Sequence, residues 1–468
     1  MIVVSIDIGS TWTKGAAFSL RSDNDLRLLR RSSCPTTIQD LSIGFESVLK
    51  SLVHHGEDYE LCFSSSAKGG LAVAAVGLVP ELTAEMAKVT ACSSGARLTK
   101  SFAYELSAED IVSLKQSAPD IILLSGGSDG GNVSYPARNA ERIAEAGIAC
   151  SVVYAGNRNV REHVAAVLKG HDVVCTENLL PTLDTPNPEP ARAAIREIFL
   201  QKITSGKGLD RIIDRAGCEP CPTPYALYEF CRSLATHAPE LGEFVLIDMG
   251  GATTDVYSYH EDLPVPGTVR RGLPEPTIKR TVEGDLGMRV SAVSAVEAAG
   301  QIIPLPESDT PALHRYVGKL TSSPEHLAVT PQERRFDALL AAANITTSIM
   351  RHAGRAQEVA TADGIVTVHT GRDLTSVKTI IGTGGYLSHS FDFDPRAHLS
   401  GIGIDKFGKR ILVPQCESYL RDPRNLLTLL ASVSRKHPAA AATAAFRLLA
   451  GADIAANPRP LQKASCAL

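Results

Sequence analysis

The sequence predicts an α/β protein made of two related lobes around a cleft, with an extra α/β subdomain set into the first lobe. Three observations lead there. Apolar strand-like runs alternate with helical spacings along the first half of the chain, the rhythm of βαβ units and a largely parallel sheet. One short pattern, apolar residues followed by Asp, one apolar residue, Gly and a hydroxyl-rich turn, occurs at Asp7 and again at Asp248. A chain of 468 residues is also more than one hydrophobic core organises. The first lobe is assigned to residues 1–240 with the insertion at about 65–180, the second lobe to 241–410, and C-terminal helices with an Ala-rich tail to 411–468.

The elements follow in chain order. Ile2–Ser10 reads as a β-branched strand closing on a Gly-Ser turn, and Gly15–Leu20 as its hairpin partner. Helical spacing covers Ile38–Leu52, Leu61–Ser66 is a short strand, and helical spacing returns over Leu82–Lys88 and Asp110–Gln116. Ile121–Leu124 is an apolar run ending on glycines, as buried parallel strands do. A helix (Asn139–Ala146), a strand (Cys150–Gly156) and a helix (Val160–Leu168) alternate after it. Four prolines between Leu179 and Pro190 mark a connection. Helices are expected over Ala191–Lys202 and Pro224–Ala235, then a strong strand, Glu243–Gly251. A Pro-rich loop (Leu263–Pro276) precedes helices over about Gly287–Ala299 and Pro331–His352, and Lys378–Ile381 is an apolar strand entering a Gly-rich turn. From Asn425 the chain is Ala-rich and helical, fraying after Pro458.

Composition narrows the function. Hydrophobic residues at 44% and charged residues at 21% belong to a folded globular chain. A net charge of −4, from 47 basic and 51 acidic residues spread along the sequence, offers no sustained field for nucleic acid or anionic membranes. Asp7 and Lys14 break up what would have to be a signal peptide, and Arg447 and Asp453 interrupt the apolar stretch from Ala439, so no membrane span is expected and a cytoplasmic location is. Ten scattered cysteines suit reduced thiols; Cys218 and Cys221 form one C-x-x-C without a second pair, for which a metal or redox role is the less favoured reading.

Three segments share one physical logic. In Asp7-Ile-Gly-Ser-Thr-Trp-Thr-Lys14, Asp248-Met-Gly-Gly-Ala-Thr-Thr-Asp255 and Ile381-Gly-Thr-Gly-Gly-Tyr386, a strand delivers the backbone to a turn. Glycine there removes side-chain bulk and frees N–H groups for phosphate oxygens. Each aspartate at a strand end can hold Mg²⁺, mostly through water, because Mg²⁺ dehydrates reluctantly.

In this order the three segments resemble the phosphate-1, phosphate-2 and adenosine motifs of the actin, Hsp70 and sugar-kinase superfamily. The resemblance implies ribonuclease-H-like cores in both lobes and ATP or ADP with Mg²⁺ between them. It implies phosphate contacts at Gly9, Ser10, Thr11, Thr13 and Lys14, and at Gly250, Gly251, Ala252 and Thr253. Gly382, Thr383, Gly384 and Gly385 would lie against the adenosine, Asp7 and Asp248 would place the metal, and Asp248 or Asp255 would orient an attacking water. Further segments narrow the family: Ser64–Gly70, Val76–Thr83, Leu123–Gly131, Arg271–Pro276 and Thr281–Arg289. With these the chain is similar, from Met1 to about Val433, to the accessory protein of methylaspartate (glutamate) mutase. That implies an ATP-dependent reactivating chaperone whose partners are subunits of an adenosylcobalamin-dependent mutase, with slow ATP hydrolysis at most. The chain is not itself a mutase: Arg396 stands where the aspartate of a D-x-H-x-x-G cobalt-ligand motif would precede His398 and Gly401. A small-molecule kinase and a nucleotide-gated scaffold that never turns over remain the competing readings.

Other features have plainer alternatives. Ser125–Gly131 is either a third anion loop, with Asp129 its most interesting residue, or a structural turn. Lys68 functions or caps a loop. Glu283 and Asp285 face the cleft or serve a helix N-terminus. Trp12 packs beneath its loop, and His54 and His55 are a solvated helix end.

Overall fold

The computed structural model describes residues 1–22, 25–66, 71–204, 208–263, 266–302, 309–362, 364–451 and 462–463. Lys68, Gly69 and Gly70, singled out above, lie outside the described residues, as does most of the tail beyond Gly451. The chain forms two compact units: Met1–Gly69, Ser205–Val269 and Glu275–Leu468 make the first, and Gly70–Thr204 with Arg270–Pro274 the second.

The first unit contains the same sheet twice. Strands Ile2–Ile8, Trp12–Ser22 and Asp25–Pro35 form an antiparallel meander; Ile2–Ile8 also pairs in parallel with Tyr59–Ser65, which pairs in parallel with Cys221–Pro222. Strands Phe244–Met249, Thr254–Tyr259 and Ile278–Glu283 repeat the meander, and Phe244–Met249 pairs in parallel with Thr379–Thr383, itself parallel to Ser418–Arg421. Numbered in chain order within each sheet, both run 3-2-1-4-5, the first with Gln462–Lys463 beside its third strand.

Burial explains why the two first strands lack polar/apolar alternation. Val3, Val4, Ile6 and Ile8, like Val245, Leu246 and Ile247, are all fully buried, because each sheet is covered on both faces. Gly15 lies against Ile6 and against Val48 and Leu52 of the Leu41–Leu52 helix. On the other side Val3 and Phe18 share a core with Leu246 and Tyr257 of the second sheet, through Leu227 and Phe230 of the Thr223–His237 helix and residues of the Leu427–Ser434 and Pro438–Leu449 helices. The alanines of 438–449 therefore let a helix pack closely inside the first unit. The outer face of the second sheet, Val245 and Ile247, packs on helices Ala292–Ile302, Thr310–Ser322 and Pro331–His352. The last begins at Pro331 because Thr330 and Glu333 form a capping box around a first-turn proline.

The second unit is a five-stranded sheet, Ala72–Val76, Arg97–Phe102, Ile121–Leu124, Ser151–Tyr154 and Asp172–Cys175, with all pairings parallel and the order 2-1-3-4-5. Its core holds Ala74, Ile122, Leu124, Val152 and Tyr154. Among the described residues no helix is long and apolar enough to cross a membrane.

Candidate functional site

The two aspartate turns have one geometry. Gly9 N–H donates to Trp12 O at 3.0 Å, and Gly250 N–H to Thr253 O at 2.9 Å. Across each hairpin the aspartate faces the residue seven positions on, Asp7 opposite Lys14 and Asp248 opposite Asp255, and across each parallel pairing it faces a hydroxyl residue, Ser64 and Thr383. The turns meet. A Cβ on Gly251 would lie 3.0 Å from Thr11 Cγ2, so a glycine is needed for the close approach. The third segment lies beside the second turn, since a Cβ on Gly384, which has φ +95°, would lie 2.2 Å from Met249 O.

The second turn is held from behind by residues 288–291. Met288 N–H donates to Gly250 O, Arg289 and Val290 N–H to Gly251 O, and Ser291 Oγ to Ala252 O, at 2.7–3.0 Å. All three carbonyls are thereby taken up. The N–H groups of Gly251, Ala252 and Thr253, like those of Ser10 and Thr11 in the first turn, have no acceptor among the described residues. Gly287 permits the clamp: a Cβ there would lie 2.5 Å from the carbonyl carbon of Ala252. Arg289 is anchored by Asp337 at 3.1 and 3.2 Å, and Tyr316 donates to the same carboxylate at 2.8 Å.

The charged groups divide into engaged and free. Asp7 is buried, and its Oδ1 accepts from Ser64 Oγ (3.1 Å) and Thr223 Oγ1 (2.6 Å), while Oδ2 accepts nothing among the described residues. The Asp248 side chain makes neither a hydrogen bond nor an ion pair there. The protein packed around its carboxyl and the nearby Asp255 charge raise its pKa to about 7, against the lowering influence of Lys14. The Lys14 side chain likewise makes no hydrogen bond or ion pair among the described residues.

Asp255 differs. It is buried against Arg280, whose Nε and Nη2 donate to Oδ1 at 2.8 and 2.5 Å, and Thr253 Oγ1 donates to its Oδ2 at 3.2 Å. The guanidinium balances this carboxylate, so Asp255 acts as a strut under the turn and Asp248 is the free carboxylate. Thr13 and Thr383 are buried, with their hydroxyls hydrogen-bonded to Thr36 Oγ1 (3.1 Å) and to Asp422 Oδ2 (2.8 Å). Asp422, fully buried, also accepts the N–H groups of Leu426 and Leu427. Gly382 lies where a Cβ would meet Tyr419 OH at 2.5 Å, and Gly385 faces open space.

Thr223, Arg280, Asp422 and Gly287 are site residues that motif reading leaves out as actors. The first three come from segments remote in sequence; Gly287 stands in a quoted segment whose role only the fold reveals. Glu283 and Asp285 are both gripped by Arg351, at 2.5 and 2.8 Å, and burial raises the Glu283 carboxyl above its ordinary range. His398 stacks on Phe393 at 5.2 Å, Trp12 is half-buried opposite Pro35, and His54 and His55 are exposed. Cys218 is half-buried and the buried Cys221 donates its thiol to Pro222 O at 3.6 Å, and among the described residues no three His, Cys, Asp or Glu side chains group as a metal site.

The free N–H groups, an unpaired lysine and two carboxylates at strand ends suit a nucleotide phosphate chain with a hydrated cation. Among solved structures, the chain is similar to acetone carboxylase in its nucleotide-free form (13% identity, TM-score 0.37, 92% of this chain and 70% of that one). It is also similar to a glycerol dehydratase reactivase (8%, 0.30, 93% and 99%) and a xylulose kinase from Bifidobacterium adolescentis (10%, 0.32, 94% and 92%). The sequence match is far closer. Protein MutL of Clostridium tetanomorphum is 36% identical over 456 residues, 92% of this chain and 96% of that protein. The family model described as MutL protein matches residues 3–448, and the chain belongs to the MutL protein family.

Proposed function

We propose that the first unit binds ATP and Mg²⁺ between two ribonuclease-H-like lobes, and that the protein uses the nucleotide to act on a partner enzyme, an adenosylcobalamin-dependent mutase. One observation carries the nucleotide reading: two turns of one geometry, each with unused N–H groups, touch at Thr11 and Gly251. The backbone of Ser10 and Thr11 grips phosphate oxygens from one side and that of Gly251, Ala252 and Thr253 from the other. Lys14 adds the mobile cation. Gly384 and Gly385 leave backbone room for the nucleoside.

Asp7 and Asp248 hold the hydrated Mg²⁺, which supplies charge neutralisation of the phosphates when bound. As a carboxylate with no side-chain partner among the described residues, Asp248 would also be free to orient a water for slow hydrolysis. Binding shifts the protein between conformations only if one of them holds the nucleotide more tightly. That difference is what can loosen a damaged mutase complex. The mutase as partner rests on the family and on the segments at 64–83 and 271–289.

The test is to inactivate glutamate mutase by turnover, then add the full-length protein with ATP, Mg²⁺ and free adenosylcobalamin. Recovery of activity that needs ATP and is absent with the Asp7→Ala, Asp248→Ala double variant supports the reading. No recovery, or equal recovery with the double variant, refutes it. Transfer of phosphate to a small acceptor would point to a kinase instead.

A further inference from the structure

The second unit carries an anion turn of its own. In its parallel sheet of order 2-1-3-4-5, the connections leave strands Ala72–Val76 and Ile121–Leu124 toward opposite sides. The loops after these two strands, 77–83 and 125–131, therefore part at the carboxyl edge, where open α/β sheets take their ligands.

The backbone at that edge has donors and no acceptors for them. Gly126 O accepts Asn157 N–H (3.1 Å), Gly127 O accepts Asn178 Nδ2 (3.0 Å), and Ser128 O accepts Gly131 N–H (2.9 Å). The N–H groups of the same three residues find no acceptor among the described residues, although Gly126 and Gly127 are buried. Buried N–H groups are rarely left so. Only glycine builds this turn: φ is +132° at Gly126 and +70° at Gly127, where a Cβ would lie 2.2 Å from Asn132 O. The loop's own carboxylate does not fill the gap. Asp129 is drawn away, accepting Arg158 N–H at 3.0 Å and Asn178 Nδ2 at 2.9 Å.

A cation reaches the opposite loop. Arg271 belongs to the strip 270–274, which joins this unit from far along the chain, and its Nη2 donates to Glu81 Oε1 at 2.6 Å while 61% of its side chain stays exposed. Leu78 of that loop is the residue Gly126 approaches. We propose that this edge is a second ligand site, separate from the paired aspartate turns. It takes the phosphate group of a small phosphorylated molecule on the N–H groups of Gly126, Gly127 and Ser128, flanked by Arg271. Three successive donors exceed what one water oxygen accepts, whereas a phosphate has oxygens for all of them.

Hydrogen exchange of the full-length protein, followed by mass spectrometry with millimolar inorganic pyrophosphate as the probe, tests this. Exchange over 125–131 should slow about tenfold, with no slowing in sodium chloride at the same ionic strength. The slowing should vanish in Ser128→Glu, whose carboxylate competes for the same donors. It should weaken severalfold in Arg271→Ala, a change at an exposed side chain that keeps the fold. Unchanged exchange in the wild type, slowing that survives Ser128→Glu, or indifference to Arg271→Ala would each overturn the proposal as stated. Peptides covering 7–14 and 248–255 are read in the same experiment, so failure of the nucleotide site is seen separately.

Discussion

Asp248 and Asp255 face each other across one hairpin, and their surroundings give them opposite duties. Arg280 neutralises Asp255, so Arg280→Met leaves a buried charge unbalanced and should cost about 3–5 kcal/mol in a denaturant titration. Asp248 has no such partner. Its folded pKa of about 7 lies above the ordinary 3.8, so the folded state holds more protons than the unfolded state between those values, and stability falls as pH rises through that window. At about pH 8, Asp248→Asn should therefore melt above the wild type, by about 1–2 kcal/mol in stability, while losing Mg-dependent nucleotide binding. In the proposed site the ionised form is the one that would hold the cation. Nucleotide affinity in Mg²⁺ should accordingly tighten between about pH 6 and about pH 8 in calorimetric titrations of the wild type. Lys14 makes no ion pair among the described residues, so Lys14→Ala should weaken ATP binding about tenfold with little change in melting temperature.

The clamp at 284–291 and the turn at 248–255 work as one element. Gly287→Ala would push a methyl group into the Ala252 carbonyl; the expected result is a loss of at least ~2 kcal/mol in thermal unfolding and a larger proportional loss of ATP affinity. The turns themselves are legible in sequence because Asp, Gly and hydroxyl residues at fixed offsets are local chemistry. The clamp's role is not, since its hydrogen bonds exist only once residue 288 has been brought back to residue 250. The Ala72–Val76 strand escapes notice because alanine carries little strand preference, and Arg97–Phe102 because it is an edge strand with a polar face. The start of the Pro331–His352 helix is readable because proline, cap and box coincide at that end.

At the scale of the whole molecule, the repeated 3-2-1-4-5 sheets and their shared helical core make the pair of aspartate turns a consequence of a duplicated architecture. The pairing of the two motifs was visible in the sequence. The assignment of residues 270–274 to the second unit was not, because a Pro- and Gly-rich loop carries no periodicity that says what it packs against. Nor was the part played by the C-terminal residues, which supply a strand to the second sheet and two helices to the core of the first unit. Nucleotide binding at the paired turns is what every role proposed for this site depends on. Calorimetric titration of the full-length protein with ATP and Mg²⁺, beside the Asp7→Ala, Asp248→Ala double variant, measures it directly. One nucleotide bound per first unit, lost in the double variant while its circular dichroism is unchanged, is the predicted result; no binding by the wild type, or equal binding by both proteins, would contradict it.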